Sequence, residues 1–271
     1  MKSSLFKLCL LSFVALFVGM SCSKHKSASP SQGNSDVLNR VVTKKALRVA
    51  SEFKGPPFTL KQNGENVGFE VDLMNAIAKE LGVTVEWKEV AFDVQNFSKM
   101  LSDGEVDLVV AAVTKTADRA ALFDFSDDYF TSGQNVVVLS DATVPDHFEL
   151  SLLKGKKVGV AKGTTGEDFA RNNTAADIVV YGDAMTLMEA LRKKEIEAFI
   201  SDVPDFQPNK FNPGADMKVV LKRITRETYA FAAKKGEGAL IGKLNAILSH
   251  LKEDAIDGDY AQIYRKWFLK E

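Results

Sequence analysis

Short apolar strands alternate with amphipathic helices along most of this chain, and that alternation restricts its fold more than any other feature. LRVAS at 47–51 is predicted to be a strand, and VDLVVAAV at 106–113 is a continuous β-branched run, as expected for a strand that is covered on both faces. The helix predicted at 68–82 repeats apolar positions every three or four residues and ends at Gly82. Because strands that alternate with helices form parallel sheets with helices on their faces, the sequence predicts an α/β fold.

A second series of the same kind follows, with strands predicted at 156–161, 177–182 and 196–200. MLSDGEVDLVVAA (100–112) and ALRKKEIEAFISD (190–202) both run from a helix end through a charged turn to Glu, an aliphatic residue, an acid and an apolar strand. Their alignment sets Ala111 and Ala112 opposite Ser201 and Asp202. We therefore expect two similar α/β lobes whose strand ends face one cleft, although a chance match of two strand-helix-strand units remains the alternative.

The N-terminus has the features of an export signal. Lys2 and Lys7 precede an apolar run from residue 8 to 20, and small residues then lead to Cys22. This pattern predicts a signal peptide at 1–21, which is too short to be a membrane span. Cleavage would make Cys22 the first residue and the only cysteine, as in a bacterial lipoprotein with lipid on that residue. The alternative is a plain signal peptide followed by an unmodified thiol.

Charge and motif content narrow the function classes. SKHKSASPSQGNSD at 23–36 is rich in Ser, Lys and small residues, and residues 22–42 are predicted to be a flexible tether. Without residues 1–21 the chain has 33 basic and 36 acidic residues, so no basic surface for nucleic acid is expected. The three histidines are far apart in sequence, and neither a nucleophile elbow nor a nucleotide phosphate loop occurs. No cofactor and no metal site are predicted.

Arg119 is a candidate for binding an anion. It follows the strand at 106–110 and lies where Thr116 and Asp118 begin a short predicted helix. Such junctions of strand and helix bind ligands in α/β proteins. The alternative is an ordinary arginine on an exposed helix surface.

Six segments in this order resemble a known family: LRVASEFKGPPFTL, NVGFEVDLMNAIAKELG, VDLVVAAVTKTADRAALFDFSDDYF, LKGKKVGVAKGTTGEDFA, IEAFISD and DGDYAQIYRKWF. They resemble the periplasmic binding proteins of polar amino acid ABC importers, with the lysine, arginine, ornithine, histidine and glutamine types nearest. The resemblance covers about residues 43–270 and implies a two-lobed fold with two hinge strands and a ligand in the cleft between the lobes. It implies a first lobe at 43–132 and 229–271 and a second lobe at 133–228.

The resemblance also implies partners and a location. We expect a monomer that binds an L-amino acid outside the cytoplasm and delivers it to the permease of an ABC importer. A lipid on Cys22 would hold the protein at a membrane, in the periplasm or at the cell surface.

In this family, certain residues bind the α-carboxylate and the α-amino group of the ligand, and they match positions in both lobes of this chain. The resemblance implies that Arg119 binds the α-carboxylate, that Ala112, beside Ala111, offers a backbone N–H to it, and that the Thr114 hydroxyl helps hold the α-amino group. In the second half, Thr165 at a helix start would favour a carboxylate and Asp202 would pair with the α-ammonium. The alternatives are a helix cap at Thr164 or Thr165 and a turn at Asp202, which precedes Val-Pro.

Departures from the family pattern concern the side chain of the ligand. Gly55 stands where an aromatic residue is usual, and Phe53 is the candidate to replace that ring opposite Phe92. Glu52 stands where the family often has an acid for the far end of the ligand, unless it is an exposed loop carboxylate. An inward Glu52 favours a basic amino acid first and glutamine second, since it needs a hydrogen-bond donor.

Two other functions remain open at this point. Periplasmic cyclohexadienyl dehydratases, which act on prephenate or arogenate, share this fold and place acids in the cleft, where Glu52 would serve as such an acid. A lipoprotein used for adhesion is the third possibility, but it leaves the ligand motifs unexplained.

Overall fold

The computed structural model describes residues 36–202 and 214–269. The predicted signal peptide, Cys22 and most of the predicted tether lie outside the described residues. The tether prediction is corrected at its end, because residues 36–44 form a helix. Val41 in this helix is fully buried, and Val37 and Leu38 pack against the same core, so the folded body begins before residue 43. No helix among the described residues is both long and apolar enough to cross a membrane.

The described residues form eight α-helices and one short 3-10 helix, Leu150–Leu153. The helices are α1 (Asp36–Lys44), α2 (Phe69–Leu81), α3 (Val94–Ser102), α4 (Ala117–Leu122), α5 (Thr165–Asn173), α6 (Ala184–Arg192), α7 (Gly238–Lys252) and α8 (Asp259–Phe268). The predicted stop of α2 is confirmed: Gly82 has φ 66° and closes the helix with N–H bonds to the carbonyls of Ala78 and Lys79.

The strands are β1 (Ala46–Ser51), β2 (Lys54–Gly55), β3 (Thr59–Gln62), β4 (Glu65–Val67), β5 (Thr84–Glu89), β6 (Leu108–Val109), β7 (Phe123–Phe125), β8 (Phe130–Ser132), β9 (Asn135–Leu139), β10 (Lys157–Ala161), β11 (Asp177–Tyr181), β12 (Ala198–Ser201), β13 (Met217–Leu221), β14 (Glu227–Tyr229) and β15 (Ala232–Lys234).

Two five-stranded sheets, each with its own cores, confirm the predicted α/β class. The first has the order β5-β1-β6-β15-β7, and β1 runs parallel to both β5 and β6. The second has the order β11-β10-β12-β9-β13, with β10 parallel to β11 and β12. Strands β6 and β12, which belong to the predicted internal repeat, occupy equivalent positions in their sheets. Strand β6 pairs with β1, and β12 pairs with β10. The carboxyl ends of these strands bring Ala111 and Asp202 to one cavity.

The last part of the chain returns to the first sheet. Strand β15 pairs with β6 and β7 in the antiparallel direction, and α7 and α8 pack on the helix α2. Trp267 in α8 is almost fully buried, and its Nε1–H donates to Asp72 Oδ2 at 2.6 Å. The core of the first sheet is therefore built from both ends of the chain.

Strands β8 and β14 are the two hinge strands. They pair antiparallel outside the two large sheets, with Glu227 opposite Ser132 and Tyr229 opposite Phe130. Thr114 forms an isolated antiparallel bridge with Tyr229, which places the segment after β6 against the hinge. The small sheet β2-β3-β4 lies in the connection between β1 and α2.

Candidate functional site

A cavity lies where the carboxyl ends of the parallel strands from both sheets meet the hinge. From the first half it is lined by Glu52, Gly55, Phe58, Phe92, Ala111, Ala112, Thr114 and Arg119. From the second half and the hinge it is lined by Ala161, Lys162, Thr164, Thr165, Gly182, Asp183, Ala184, Ser201, Asp202 and Tyr229. Of the nine predicted ligand-binding residues, the structure brings together all but Phe53.

Arg119 is a buried cation that spans the cavity. It lies in α4, whose N-cap Thr116 accepts a hydrogen bond from the Arg119 N–H at 3.2 Å. Its Nη1 donates to the Thr114 carbonyl at 3.0 Å, and its Nη2 reaches across to the Gly163 carbonyl at 3.2 Å. Its Cζ lies 5.6 Å from the centre of the Phe92 ring. The guanidinium has further N–H donors, so it can still meet a carboxylate in the cavity.

Among the described residues, Arg119 has carboxylates nearby but none in direct contact with its guanidinium. Burial lowers the pKa of Arg119 from its ordinary value, and the carboxylates of Asp202 and Glu227 oppose that shift. Only 8% of the residue is exposed. A buried guanidinium without a direct carboxylate contact is costly, and an anionic ligand group would offset this cost.

The backbone turn at Ala112 corrects one predicted role. Ala112 has φ 48°, a left-handed conformation that is unusual for a residue with a side chain. Its N–H, predicted to meet the ligand, instead donates to Glu70 Oε1 at 2.7 Å. Glu70 is fully buried and also accepts from the Tyr129 hydroxyl. Burial raises the pKa of Glu70 to about 7, while the bonds from Tyr129 and Ala112 oppose the shift. Glu70 therefore fixes the backbone of Ala112, which forms part of the cavity wall.

Thr165 begins helix α5, but it does not cap it. The N-cap is Thr164, whose hydroxyl accepts from the Glu167 N–H at 3.3 Å. The first turn of a helix has N–H groups without partners inside the helix, and Thr165, the first residue of α5, lines the cavity. A side chain at Gly166 would begin 2.8 Å from Gln134 Oε1 and 3.2 Å from the Ile200 carbonyl oxygen, so the glycine favours the close approach of α5 to β12.

A polar network joins both walls of the cavity to the hinge strand β14. Oε2 of Glu227 accepts from the hydroxyls of Thr114 at 3.1 Å and Thr165 at 2.7 Å. Oε1 of Glu227 accepts from Gln134 Nε2 at 2.8 Å and from the Thr225 hydroxyl at 2.7 Å. Sequence reasoning missed Glu227. The only available signal was an acid two residues before a tyrosine. Because the hinge strand is short, no periodic pattern distinguishes this acid from other acidic residues.

Asp202 follows β12 and lies across the cavity from α4. Its carbonyl accepts from the Tyr229 hydroxyl at 3.1 Å and from the Ser132 hydroxyl, which ties it to both hinge strands. Burial raises the pKa of the Asp202 carboxyl to about 6, and Glu227 adds to that increase, whereas Tyr229 and Arg119 oppose it. A ligand cation beside Asp202 would stabilise its ionised form.

Glu52 lies at the end of β1 and lines the cavity as predicted. Burial raises its pKa to about 7 and the nearby Asp183 raises it further, whereas a hydrogen bond from the Phe92 backbone and the charge of Lys54 oppose the shift. A side chain at Gly55 would begin 3.4 Å from Glu52 Oε1, so the glycine leaves room for this carboxylate.

Phe53 does not replace the aromatic side chain that is absent at Gly55, and this prediction was wrong. Phe53 is buried and packs edge-on against Trp87 with ring centres 5.3 Å apart, outside the cavity. Phe58 lines the cavity instead, held edge-on by Phe130 and Tyr229 at 4.9 and 5.2 Å. The turn between β2 and β3 decides which phenylalanine faces inward.

A salt bridge closes one side of the cavity. Lys54 Nζ in β2 lies 3.1 Å from Asp183 Oδ2, and Asp183 caps α6 by accepting from the Thr186 N–H. The contact therefore joins the two halves of the molecule. Among residues 36–202 and 214–269, no group of three or more His, Cys, Asp or Glu residues could hold a metal ion.

The sequence matches a known family over most of this structure. The model of the bacterial extracellular solute-binding proteins, family 3, matches residues 47–270. The chain belongs to this family. The resemblance inferred from six sequence segments is thereby confirmed.

Individual relatives of this family 3 protein are binding proteins for different amino acids. A probable histidine-binding protein of Neisseria gonorrhoeae is 34% identical over 253 residues, which are 90% of this chain and 91% of the relative. An ancestral arginine-binding protein, solved with glutamine and with arginine, is 36% identical, with TM-scores of 0.72 and 0.71. The alignments cover 83% of this chain and 99% and 98% of those chains.

A third similar structure bears on the enzyme alternative. The ancestral amino acid-binding protein AncCDT-1, a precursor of cyclohexadienyl dehydratase, is 31% identical with a TM-score of 0.76. The alignment covers 85% of this chain and 99% of that one. This ancestral protein is itself an amino acid-binding protein, and the dehydratase is its descendant.

Proposed function

We propose that this family 3 protein captures a polar L-amino acid in its cavity by hinge closure and delivers it to the permease of an ABC importer. One observation carries the proposal: the buried Arg119 and the partly buried carboxyl of Asp202 line the same cavity from opposite halves of the molecule. An α-amino acid is a zwitterion, and such a pair of opposite charges matches both of its ionic groups.

The backbone groups of the ligand are assigned by charge. The α-carboxylate binds Arg119 and the free N–H groups at the start of α5, where the helix dipole also favours an anion. The α-ammonium binds Asp202 and the oxygen of Thr114. Ala111 and Ala112 form the wall between these groups and leave space because their side chains are small.

The side chain of the ligand extends toward Glu52 and the aromatic rings. Glu52 requires a hydrogen-bond donor or a cation in the closed cavity, and Phe92 and Phe58 offer ring surfaces for a planar or cationic group. A basic amino acid is therefore the first choice and glutamine the second. The names of the relatives, which bind histidine, arginine or glutamine, agree with this class.

Transport rather than catalysis is proposed, because the relatives named above are binding proteins. The cyclohexadienyl dehydratase alternative requires a reaction, because prephenate or arogenate must lose water and carbon dioxide in the cavity. Incubation of the protein with each compound, followed by chromatography, tests this directly. Formation of phenylpyruvate or phenylalanine at a rate that depends on Glu52 would replace the transport proposal.

Export and anchoring are a separate part of the proposal. Residues 1–21 are removed as a signal peptide, Cys22 carries lipid, and a tether leads to lobes at 43–132 with 229–271 and at 133–228. The protein is a monomer at a membrane outside the cytoplasm. Mass spectrometry of the native protein tests this, because a lipid-modified N-terminal peptide beginning at Cys22 is expected. An unmodified N-terminus would contradict it.

The central test is a calorimetric screen of the mature protein with the twenty amino acids and ornithine. We expect exothermic binding of arginine, lysine, ornithine or histidine first, and of glutamine more weakly. Preferred binding of glutamate, aspartate or an aliphatic amino acid would contradict the assignment of Glu52. No binding of any amino acid would contradict the proposed function as a whole.

A further inference from the structure

The side chain of Glu227 stands behind the cavity wall and meets residues from both halves of the molecule. Thr114 comes from the segment after β6, and Thr165 begins α5. Both hydroxyls reach the same carboxylate oxygen, whereas Gln134 and Thr225 reach the other. The Glu227 carboxylate thus accepts four hydrogen bonds from protein groups, and two of these donors, Thr114 and Thr165, line the cavity.

The direction of these bonds follows from the chemistry of the groups. A carboxylate accepts hydrogen bonds and donates none, so each threonine hydroxyl must be the donor. A hydroxyl has only one hydrogen, and the bond to Glu227 uses it. Thr114, which lines the cavity, can then offer only its oxygen lone pairs to a ligand. Thr165 is in the same state, and it also accepts from Gln134 Nε2 at 3.1 Å.

We infer that Glu227 is a positioning residue that fixes Thr114 and Thr165 as hydrogen-bond acceptors toward the cavity. As a consequence, the ammonium and the carboxylate of the ligand bind to different groups of the cavity. Thr114 can accept from an ammonium but cannot donate to a carboxylate, so the carboxylate is left to Arg119 and the α5 backbone. This inference rests on the proposed function, because it assumes an amino acid ligand.

The hinge location of Glu227 gives this role a structural basis. Glu227 pairs with Ser132 in the hinge ladder, and Thr114 bridges to Tyr229, so Glu227 and Thr114 are joined through the backbone pairing of the hinge. Thr165 arrives from the other half of the molecule with α5. The acceptor pair is therefore complete only when α5 lies against the hinge, which is the geometry seen here.

Two substitutions at one position separate this role from a simple charge effect. Glu227→Gln and Glu227→Met both remove the negative charge and have similar length. The glutamine amide oxygen can still accept from both threonines, since Gln134 has an unpartnered oxygen that can turn toward the new amide nitrogen. Methionine offers no comparable acceptor. We expect Glu227→Met to bind the ligand at least about tenfold more weakly than Glu227→Gln.

The experiment is calorimetry of the mature wild-type protein and both variants with L-arginine, L-histidine and L-glutamine. Ligand-free melting temperatures are recorded for each variant, and affinities are compared only between folded samples. The same pair of substitutions is then made in a Thr114→Val/Thr165→Val background, where no hydroxyl is left to orient. There we expect the difference between the methionine and glutamine variants to disappear.

Each result has a defined meaning. Equal affinities of the two Glu227 variants would mean that Glu227 acts only through its charge, and this would overturn the inference. A difference that persists in the double-valine background would show a structural effect and would also overturn it. In both cases a binding wild type leaves the proposed function intact. A wild type that binds none of the three ligands would refute the proposed function, and this inference with it.

Discussion

At the scale of single residues, the cavity is defined by charged groups that the fold has taken out of water. Arg119 is buried with two backbone carbonyls as partners, and Asp202 and Glu52 have raised pKa values because they are desolvated. Groups of this kind stay in a fold at a cost to its stability. The residue-scale predictions therefore concern what happens when one of them is removed or titrated.

Replacement of Arg119 by methionine should nearly abolish binding and leave the ligand-free protein folded. The loss of one partner from a buried ion pair costs roughly 3–5 kcal/mol, which weakens binding by some hundreds-fold or more. Loss of ligand-induced thermal stabilisation is the measurement. Lys162→Met, at an exposed position on the cavity rim, is the control for removal of a positive charge. Normal binding by Arg119→Met would contradict the assigned role.

The affinity for a basic ligand should rise as the pH increases from about 6 to 8. A cationic side chain binds the ionised form of Glu52, whose pKa in the free protein is raised to about 7, so only about a tenth is ionised at pH 6. Asp202, with a pKa of about 6, adds to the same trend at lower pH. Calorimetry with arginine at several pH values checks this. In Glu52→Gln the part of the increase above pH 6.5 should be absent.

The same substitution should stabilise the ligand-free fold at pH 8. An acid whose folded pKa is about 7 instead of 4.5 binds more protons in the folded state, so it reduces stability as the pH rises between these values. Glu52→Gln removes this cost, which is about 3 kcal/mol. We expect a higher melting temperature than wild type at pH 8 and little difference at pH 4.5. A lower melting temperature at pH 8 would mean that Glu52 is not desolvated.

At the scale of elements, the two halves of the molecule meet through ends of strands and helices. The Lys54 to Asp183 salt bridge joins β2 to the N-terminus of α6, beside the cavity. Half of the Lys54 side chain is exposed, at 53%, so the pair contributes little to stability. Its position nevertheless makes it a contact that must break when the cavity opens.

Replacement of Lys54 by glutamine should accelerate ligand release by up to about fivefold, because an exposed pair contributes up to about 1 kcal/mol. The association rate should change less, since the contact forms on closure. Stopped-flow measurement of both rates checks this. Lys61→Gln removes the exposed pair between Lys61 in β3 and Glu89 in β5 and is the matched control. Substitution of Asp183 is less informative, because that residue also caps α6.

At the scale of the whole molecule, the first lobe depends on residues that are distant in sequence. Strand β15 lies between β6 and β7, and α8 packs on α2 across almost two hundred residues of chain. Trp267 fills this contact and is 1% exposed. The C-terminal segment is thus part of the first core and not an appendage.

Replacement of Trp267 by alanine should lower the free energy of unfolding by about 3–5 kcal/mol, because it leaves a large buried cavity. The ligand affinity of the molecules that stay folded should be unchanged, since Trp267 does not line the cavity. Chemical denaturation and calorimetry measure the two quantities separately. Leu269→Ala, at a position that is 47% exposed, is the control for truncation in the same segment. A stable Trp267→Ala protein would contradict this account of the core.

The sequence alone determined the α/β class and the cleft at the strand ends, because periodicity and helix caps are local features, and most of the cavity residues followed from the resemblance of its motifs to a known family. Arg119 and Thr165 are recognisable from the turns that hold them. Tertiary structure decided the rest. Phe58 instead of Phe53 faces the cavity because of the path of one loop, and the Ala112 N–H meets Glu70 from another helix. Glu227 meets two threonines 113 and 62 residues away in sequence. Partners at such separations are selected by the pairing of distant strands, which leaves no pattern in any short stretch of sequence.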